Sequence, residues 1–262
     1  MLSTTKIIAI LRHPATQLKS GFKYYGVSSI YPDGALSFNE FIDDPVSHLK
    51  KMYELKNLLW NGMSVDLGLM NNKNIPWLIT KSDIISNHVL RTYVYDFLTS
   101  IEESIDLMLI SEYFEESLVL LKRLLNWNLE DMAFFSLNKA VESVTIDQFT
   151  DAEMDKIIEW NFIDYLLYTR MLNKLFQQIY YSDVDINKDV IELKSINSYF
   201  KEYCLAEVKM DPRLYGAVPI LGYKLNREGE MVEKCKLMTT TELKNIREAR
   251  AHMKELCKSG TE

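Results

Sequence analysis

The chain has 262 residues, of which 47% are hydrophobic and 26% charged, so it is long enough to bury one large core or two small ones. Its 37 acidic residues outnumber its 30 basic ones, and the net charge of −7 argues against a general affinity for nucleic acid backbones. Because no run of about 18 apolar residues occurs, neither a membrane span nor a signal peptide is predicted in this sequence.

The first predicted elements form a strand, a turn and a helix. Residues 6–11 are a short β-branched apolar run that ends at Arg12, as expected for a buried strand. Pro14 suits the first turn of a helix, whose apolar residues recur at helical spacing until Gly26, a natural stop.

A second strand and helix follow further along the chain. Ser37 and Glu40 have the spacing of a capping box, and residues 82–100 are predicted to form one helix. Residues 106–111 read as a second buried strand, and residues 115–125 as a strong helix.

The remaining chain is predicted to be mainly helical. Residues 151–181 and 187–203 are long amphipathic stretches, and residues 239–258 form a terminal helix. Residues 212–227 contain two prolines and two glycines and are predicted to be loop-like. The pattern therefore predicts one α/β domain, rich in helix and with few strands.

Arg12 and Ser20 are the first candidate binding residues. Arg12 ends the strand, Ser20 lies about two helical turns further on, and both can face the crevice where open α/β sheets bind ligands. An arginine fork, a hydroxyl and the backbone donors of a helix N-terminus can together bind a phosphate dianion. On spacing alone, an arginine that lies at the surface or in a salt bridge is the commoner alternative.

Several segments carry a family resemblance. Residues 10–26 (ILRHPATQLKSGFKYYG) resemble the 3′-phosphate-binding segment of sulfotransferases, in which a serine follows the arginine of an Arg-x-Pro turn by eight residues. The Ser-Gly-Phe-x-Tyr-Tyr continuation is similar to the galactose-3-O-sulfotransferase family, which includes galactosylceramide sulfotransferase. Further matches occur in family order at residues 65–69, 109–140, 160–168 and 220–226.

The resemblance implies a fold and a reaction. The fold would be the P-loop-NTPase-like sulfotransferase fold, as a single domain over residues 1–262. Arg12 and Ser20 would bind the 3′-phosphate of the donor, 3′-phosphoadenosine 5′-phosphosulfate (PAPS), with no metal and no nucleic acid. The acceptor would be the galactose 3-hydroxyl of a glycolipid or glycan on the luminal side of the Golgi membrane.

The resemblance covers about the C-terminal two thirds of the family pattern. The Lys- and Ser/Thr-rich loop that cradles the 5′-phosphosulfate, the catalytic base and the membrane anchor belong to the preceding part of the family. We therefore expect a domain that is incomplete at its N-terminus and lacks the first strand, loop and helix. The alternatives are a family member that binds nucleotide or a partner without turnover, and a helical interaction module without a ligand.

Other polar residues admit both a functional and a structural interpretation. Lys224 could meet a donor phosphate as a point charge, or be an ordinary exposed lysine. Glu112 could orient a hydroxyl or a nucleotide loop, whereas Glu115 and Glu116 are better explained as favourable charges at a helix start. A histidine in a helix, such as His88, is more often a surface residue than a general base, so no catalytic base is assigned.

The last candidates are a polar and aromatic cluster and the cysteines. Trp160, Asn161 and Asp164 could line an acceptor pocket, but helical spacing makes Trp160 at least as good a core anchor. Neither the cysteines nor the histidines have metal-ligand spacing. The resemblance places cysteines at positions 204 and 235, which would pair if the chain is made in the secretory pathway and leave Cys257 free. In a reducing compartment all would be thiols.

Overall fold

The structure is a computed structural model that describes residues 5–30, 36–52, 55–71, 76, 78–137, 139–140, 144–182, 185–215, 218–240 and 242–259. Two compact units make up the chain, the first comprising residues 1–127 with 143–187 and the second residues 128–142 with 188–262. Within the described ranges, no helix is both long and apolar enough to cross a membrane.

The first unit is mostly helical and contains two short strands, in agreement with the predicted helix-rich α/β class. Its elements in chain order are β1 (Ile8–Leu11), α1 (Pro14–Tyr24), α2 (Phe38–Asp43), α3 (Pro45–Lys51), α4 (Lys56–Leu59), α5 (Gly62–Asp66), α6 (Lys81–Ser86), α7 (His88–Ser104), β2 (Leu107–Ile110), α8 (Phe114–Leu125), α9 (Asp151–Trp160) and α10 (Phe162–Tyr180).

The two strands of the first unit pair in parallel, with Ile8 opposite Leu107 and Leu11 opposite Ile110. All four residues of β2 are buried, as expected for a parallel strand covered on both faces. Both predicted strands are thus confirmed. Because the strands run in the same direction, the residues that follow Leu11 and Ile110 leave the sheet at one edge.

Helix ends in this unit follow the capping rules, with one departure from the prediction. Pro14 begins α1, and the capping box of Ser37 with Glu40 begins α2, as predicted. The single helix predicted over residues 82–100 is wrong, because Asn87 separates α6 from α7. Its side-chain oxygen accepts hydrogen bonds from two backbone N–H groups of the α7 first turn, which makes it the N-cap of the second helix.

The second unit contains a hairpin that the sequence did not predict. Its elements are α11 (Ile186–Cys204), which starts at the end of the first unit, β3 (Leu205–Tyr215), β4 (Val218–Leu225), α12 (Glu233–Thr239) and α13 (Glu242–Ser259). The loop predicted over residues 212–227 is wrong, since most of it lies in the antiparallel pair β3–β4. Ile220 of β4 also forms one isolated bridge to Ala140, but no further strand pairs with the hairpin in the described ranges, and such edge positions tolerate proline.

A disulfide joins the end of α11 to α12 in the second unit. Cys204 and Cys235 are bonded across a sequence separation of 31 residues, so the pairing expected from the family resemblance is present. Both cysteines are buried in a small apolar cluster with Phe135, Phe200 and Met238.

Candidate functional site

The candidate site lies at the carboxyl edge of the β1–β2 pair. Leu11 and Ile110 are register partners, so Arg12 and Glu112 follow neighbouring strand ends. This is the edge at which open α/β sheets bind their ligands. Arg12 therefore follows the end of the first strand, as predicted, and Glu112 lies at the same edge, while the role of Arg12 in binding stays a prediction.

Arg12 is half-buried and held from two sides. Its Nη2 donates to the carbonyl oxygen of Val144 at 3.2 Å, and its backbone N–H points to the sulfur of Met63 at 3.4 Å. Burial lowers the pKa of the guanidinium, and the charge of Glu112 raises it. Among the described residues, Val144 is the single hydrogen-bond acceptor of the guanidinium, which has five N–H donors.

Glu112 is exposed and its carboxylate connects two other residues of the site. Oε1 accepts from the backbone N–H of His13 at 2.9 Å, and Oε2 accepts from the hydroxyl of Tyr168 at 3.3 Å. Burial, followed by the charge of Glu112, raises the pKa of Tyr168 well above its usual range, so this hydroxyl stays protonated. The charge of Glu112 beside Arg12 opposes the effect of burial and favours the charged guanidinium.

His13 caps the N-terminus of α1 and holds that end of the helix. Its Nδ1 accepts from the N–H of Ala15 at 3.3 Å, and its ring meets Tyr168 edge to face at 5.2 Å between centroids. Burial lowers its pKa, which favours the neutral imidazole that an Nδ1 acceptor requires. The helix therefore offers fewer free donors than predicted, because Pro14 has no N–H and that of Ala15 is already bonded.

No described contact joins Ser20 or Lys224 to the cluster of Arg12, His13, Glu112 and Tyr168. Ser20 lies on α1, four residues after Thr16 and so on the same face of the helix. Its hydroxyl forms no hydrogen bond with a described residue. Lys224 belongs to the second unit, where it is exposed on β4 opposite Glu207 of β3. Their roles in donor binding stay predictions.

Two residues of the cluster, His13 and Tyr168, were missed by the sequence reasoning. His13 has no metal-ligand spacing to the other histidines, but it lies between Arg12 and Pro14 of the candidate turn. Tyr168 is distant in sequence from the first strand. Its signal was present, since residues 160–168 carry one of the family matches.

The remaining polar candidates have structural roles. Trp160, Asn161 and Asp164 are all buried, and the indole N–H of Trp160 donates to the carbonyl oxygen of Leu59 at 2.7 Å. This burial favours the core-anchor interpretation over an acceptor pocket. His88 is exposed at the start of α7, and Glu115 and Glu116 occupy the first turn of α8, where acidic residues favour a helix.

Helices α5 and α10 cap each other through buried side chains. The carboxylate of Asp164 accepts from the N–H groups of Met63 at 3.2 Å and Ser64 at 2.7 Å. In return, the side-chain oxygen of Asn61 accepts from the N–H of Asp164 at 2.9 Å, and that of Asn161 accepts from the N–H of Asn61 at 2.6 Å. Because Met63 also contacts Arg12, this capping fixes one wall of the candidate site.

The capping carboxyl is strongly perturbed. Burial raises the pKa of Asp164 to about 6, although hydrogen bonds from Ser64 and Met63 act in the opposite direction. In the described ranges, no group of His, Cys, Asp and Glu residues has the arrangement of a metal site.

Comparison with known proteins identifies the family. The model of the Galactose-3-O-sulfotransferase family matches residues 1–253, which includes the whole candidate site. The chain therefore belongs to the galactose-3-O-sulfotransferase family, and the resemblance noted in the sequence is confirmed.

Curated relatives agree with this membership at low sequence identity. Galactose-3-O-sulfotransferase 2 of Mus musculus is 29% identical, over 96% of this chain and 63% of the relative. Galactosylceramide sulfotransferase of Mus musculus is 27% identical, over 94% of this chain and 59% of the relative. The chain thus spans about three fifths of the length of these relatives. No solved structure matches it.

Proposed function

We propose that this chain is the core of a sulfotransferase that moves the sulfuryl group of PAPS to the 3-hydroxyl of galactose in a glycolipid or glycan. The family match over residues 1–253 carries the proposal. The names of its relatives support the acceptor class, because they specify galactose and galactosylceramide.

Arg12 is the proposed anchor for the 3′-phosphate of the donor. A half-buried guanidinium at a strand end can bind two phosphate oxygens at once, and partial desolvation strengthens such contacts. Glu112 and Tyr168 would act through position and charge: the charge of the carboxylate opposes the lowering of the Arg12 pKa by burial, and the tyrosine hydroxyl holds the carboxylate in place. We assign Ser20 and Lys224 to the same phosphate-binding role as further predictions.

The finer description of the fold belongs to this proposal. We infer a P-loop-NTPase-like sulfotransferase fold, since β1 and β2 are parallel and a phosphate-binding candidate follows β1. We further infer that both compact units belong to one sulfotransferase domain, because a single family model spans them. A disulfide between Cys204 and Cys235 supports work in the Golgi lumen, an oxidising compartment of the secretory pathway.

Calorimetry with adenosine 3′,5′-bisphosphate tests the anchor. We expect wild-type protein to bind, and Arg12→Ala to weaken binding about 10- to 100-fold, as expected for loss of a charged hydrogen-bond pair. Lys50→Ala removes an exposed cation of the same unit that lies outside both proposed binding sites, and it serves as the control, with affinity unchanged. Adenosine 5′-monophosphate lacks the 3′-phosphate, so its affinity is expected not to depend on Arg12.

Transfer is measured separately, with radiolabelled PAPS and either galactosylceramide or a galactose-terminated disaccharide. Label on the galactose 3-hydroxyl supports the full proposal. Nucleotide binding without transfer would support the alternative of a family member that binds without turnover. A folded sample that binds no bisphosphate, or binds it equally after Arg12→Ala, contradicts the proposed anchor.

A further inference from the structure

An apolar groove runs along the first unit between α7 and α10, next to the end of α6. Its volume is about 410 Å³, near the lower end of the range of about 300–1,000 Å³ for small-molecule sites. Ile84, Val94, Leu98 and Leu166 supply its apolar lining. Aliphatic walls along two helices favour a flexible apolar chain rather than a flat polar ligand.

The groove is distinct from the candidate sulfotransferase site. At 3.6 residues per turn, Leu166, Arg170 and Asn173 lie about 140° to 200° around α10 from Tyr168. Tyr168 faces Glu112 at the strand ends, so the groove lies on the opposite face of this helix. A ligand in the groove would therefore not contact Arg12.

The charges at the rim favour an anion. Arg170 is neutralised locally, since its Nε donates to Glu102 at 2.6 Å and its Nη2 to the hydroxyl of Thr99 at 3.2 Å. Arg91 is exposed, its Nη1 donates to the carbonyl oxygen of Ile85 at 3.0 Å, and it pairs with no acidic side chain in the described ranges. The uncompensated charge is thus that of Arg91, at the α6 end of the groove.

We propose that this groove binds a single-chain anionic amphiphile, with the apolar chain between α7 and α10 and the anionic head at Arg91. The modest volume favours one chain over two. Tyr95, which lines the groove, is 62% exposed, and Ile85, the chain neighbour of the lining residue Ile84, is 60% exposed, so apolar surface is available for an entering chain. This binding requires neither donor nor galactose acceptor, and its test is independent of the proposed reaction.

Fluorescence titration with 11-(dansylamino)undecanoate tests the groove. We expect saturable binding of one probe, displaced by decanoate and not by acetate. Thr169→Trp places an indole at the exposed rim and is expected to abolish binding. Arg91→Ala is expected to weaken the anionic probe about two- to fivefold, the range for an exposed charge pair, and to leave the uncharged dansylated undecanol unchanged. Lys23→Ala, an exposed cation on α1, is the matched control.

Several outcomes would overturn this assignment. Thermal melts first establish that each variant is folded. If folded Thr169→Trp protein binds the probe as the wild type does, the groove is not the binding site. If Arg91→Ala loses affinity for the charged and the uncharged probe equally, Arg91 does not bind the anionic head. A wild-type dimer that becomes monomeric in Thr169→Trp assigns the groove to a second copy, and binding to anionic vesicles without monomeric probe binding assigns it to a membrane surface.

Discussion

The two compact units bury their interiors in different ways. In the first, helices pack around a fully buried strand, and the reciprocal capping of α5 and α10 places polar groups inside without leaving Asp164 unpaired. In the second, the apolar cluster around Phe135 and Phe200 is small and includes the Cys204–Cys235 disulfide. Small cores supply little hydrophobic stabilisation, so the covalent link contributes a larger share there.

Removal of the disulfide is the largest expected effect. Chain-entropy estimates for a closed loop of 31 residues give about 4 kcal/mol of stabilisation, so Cys204→Ala with Cys235→Ala is expected to destabilise the second unit by that order. Hydrogen exchange resolves the two units. We expect faster exchange in α11 and α12 and unchanged protection of β2. An equal loss of protection in both units would contradict the contrast between them.

Asp164 gives the first unit a pH dependence of its own. Its pKa is about 6 in the folded protein against an ordinary value of 3.8, so the folded state binds this proton more tightly than the unfolded state. The stability contributed by protonation is complete below the ordinary pKa and is lost as the pH rises through 6. With 1.36 kcal/mol per pKa unit, the loss is about 3 kcal/mol.

Asp164→Asn isolates that contribution, because the other carboxylates titrate in both proteins. We expect the stability advantage of the wild type over the variant, from urea unfolding, to shrink by up to about 3 kcal/mol between about pH 4 and pH 7. Exposed carboxylates such as Glu40 and Asp83 have lowered pKa values and the opposite trend, which the subtraction cancels. A difference that does not change with pH would refute the buried, perturbed carboxyl.

Two glycines give the smallest effects and opposite signs. A Cβ at Gly229 would collide with the backbone carbonyl of Cys204, so Gly229→Ala is expected to destabilise the second unit by about 2 kcal/mol. A Cβ at Gly21 would meet Leu59 at an ordinary 3.6 Å inside helix α1, where alanine is favoured over glycine by about 1 kcal/mol. If Gly229→Ala and Gly21→Ala change the melting temperature in the same direction, the environments described for the two glycines are wrong.

Local pattern predicted much of the fold and failed where tertiary context decides. The β-branched run before Arg12 and the capping box at Ser37 carry their own structural signal, and both elements are confirmed. Asn87 ended a helix that periodicity alone had extended, because apolar spacing continues across the break. The β3–β4 hairpin was hidden by proline and glycine, which mark loops in most contexts but are tolerated in a two-stranded pair.

The candidate site was predictable at its local end and not at its distant end. Arg12 could be placed because strand, turn and helix are contiguous in the sequence. The contacts of Glu112 with His13 and Tyr168 join residues separated by 99 and 56 positions, and such pairs depend on parallel strand pairing and helix packing. Asp164 illustrates the same limit, since only the fold shows that its partners are the backbone of α5.

The strand β1 has a further consequence for handling the protein. Among the described strands it pairs on one side only, with β2, and Ile8 and Ile10 are 37% and 54% exposed. The open edge of a strand that carries exposed isoleucines is a template on which another extended segment can add hydrogen bonds. We therefore expect self-association through this edge that grows with concentration, so measurements on the single chain call for dilute samples.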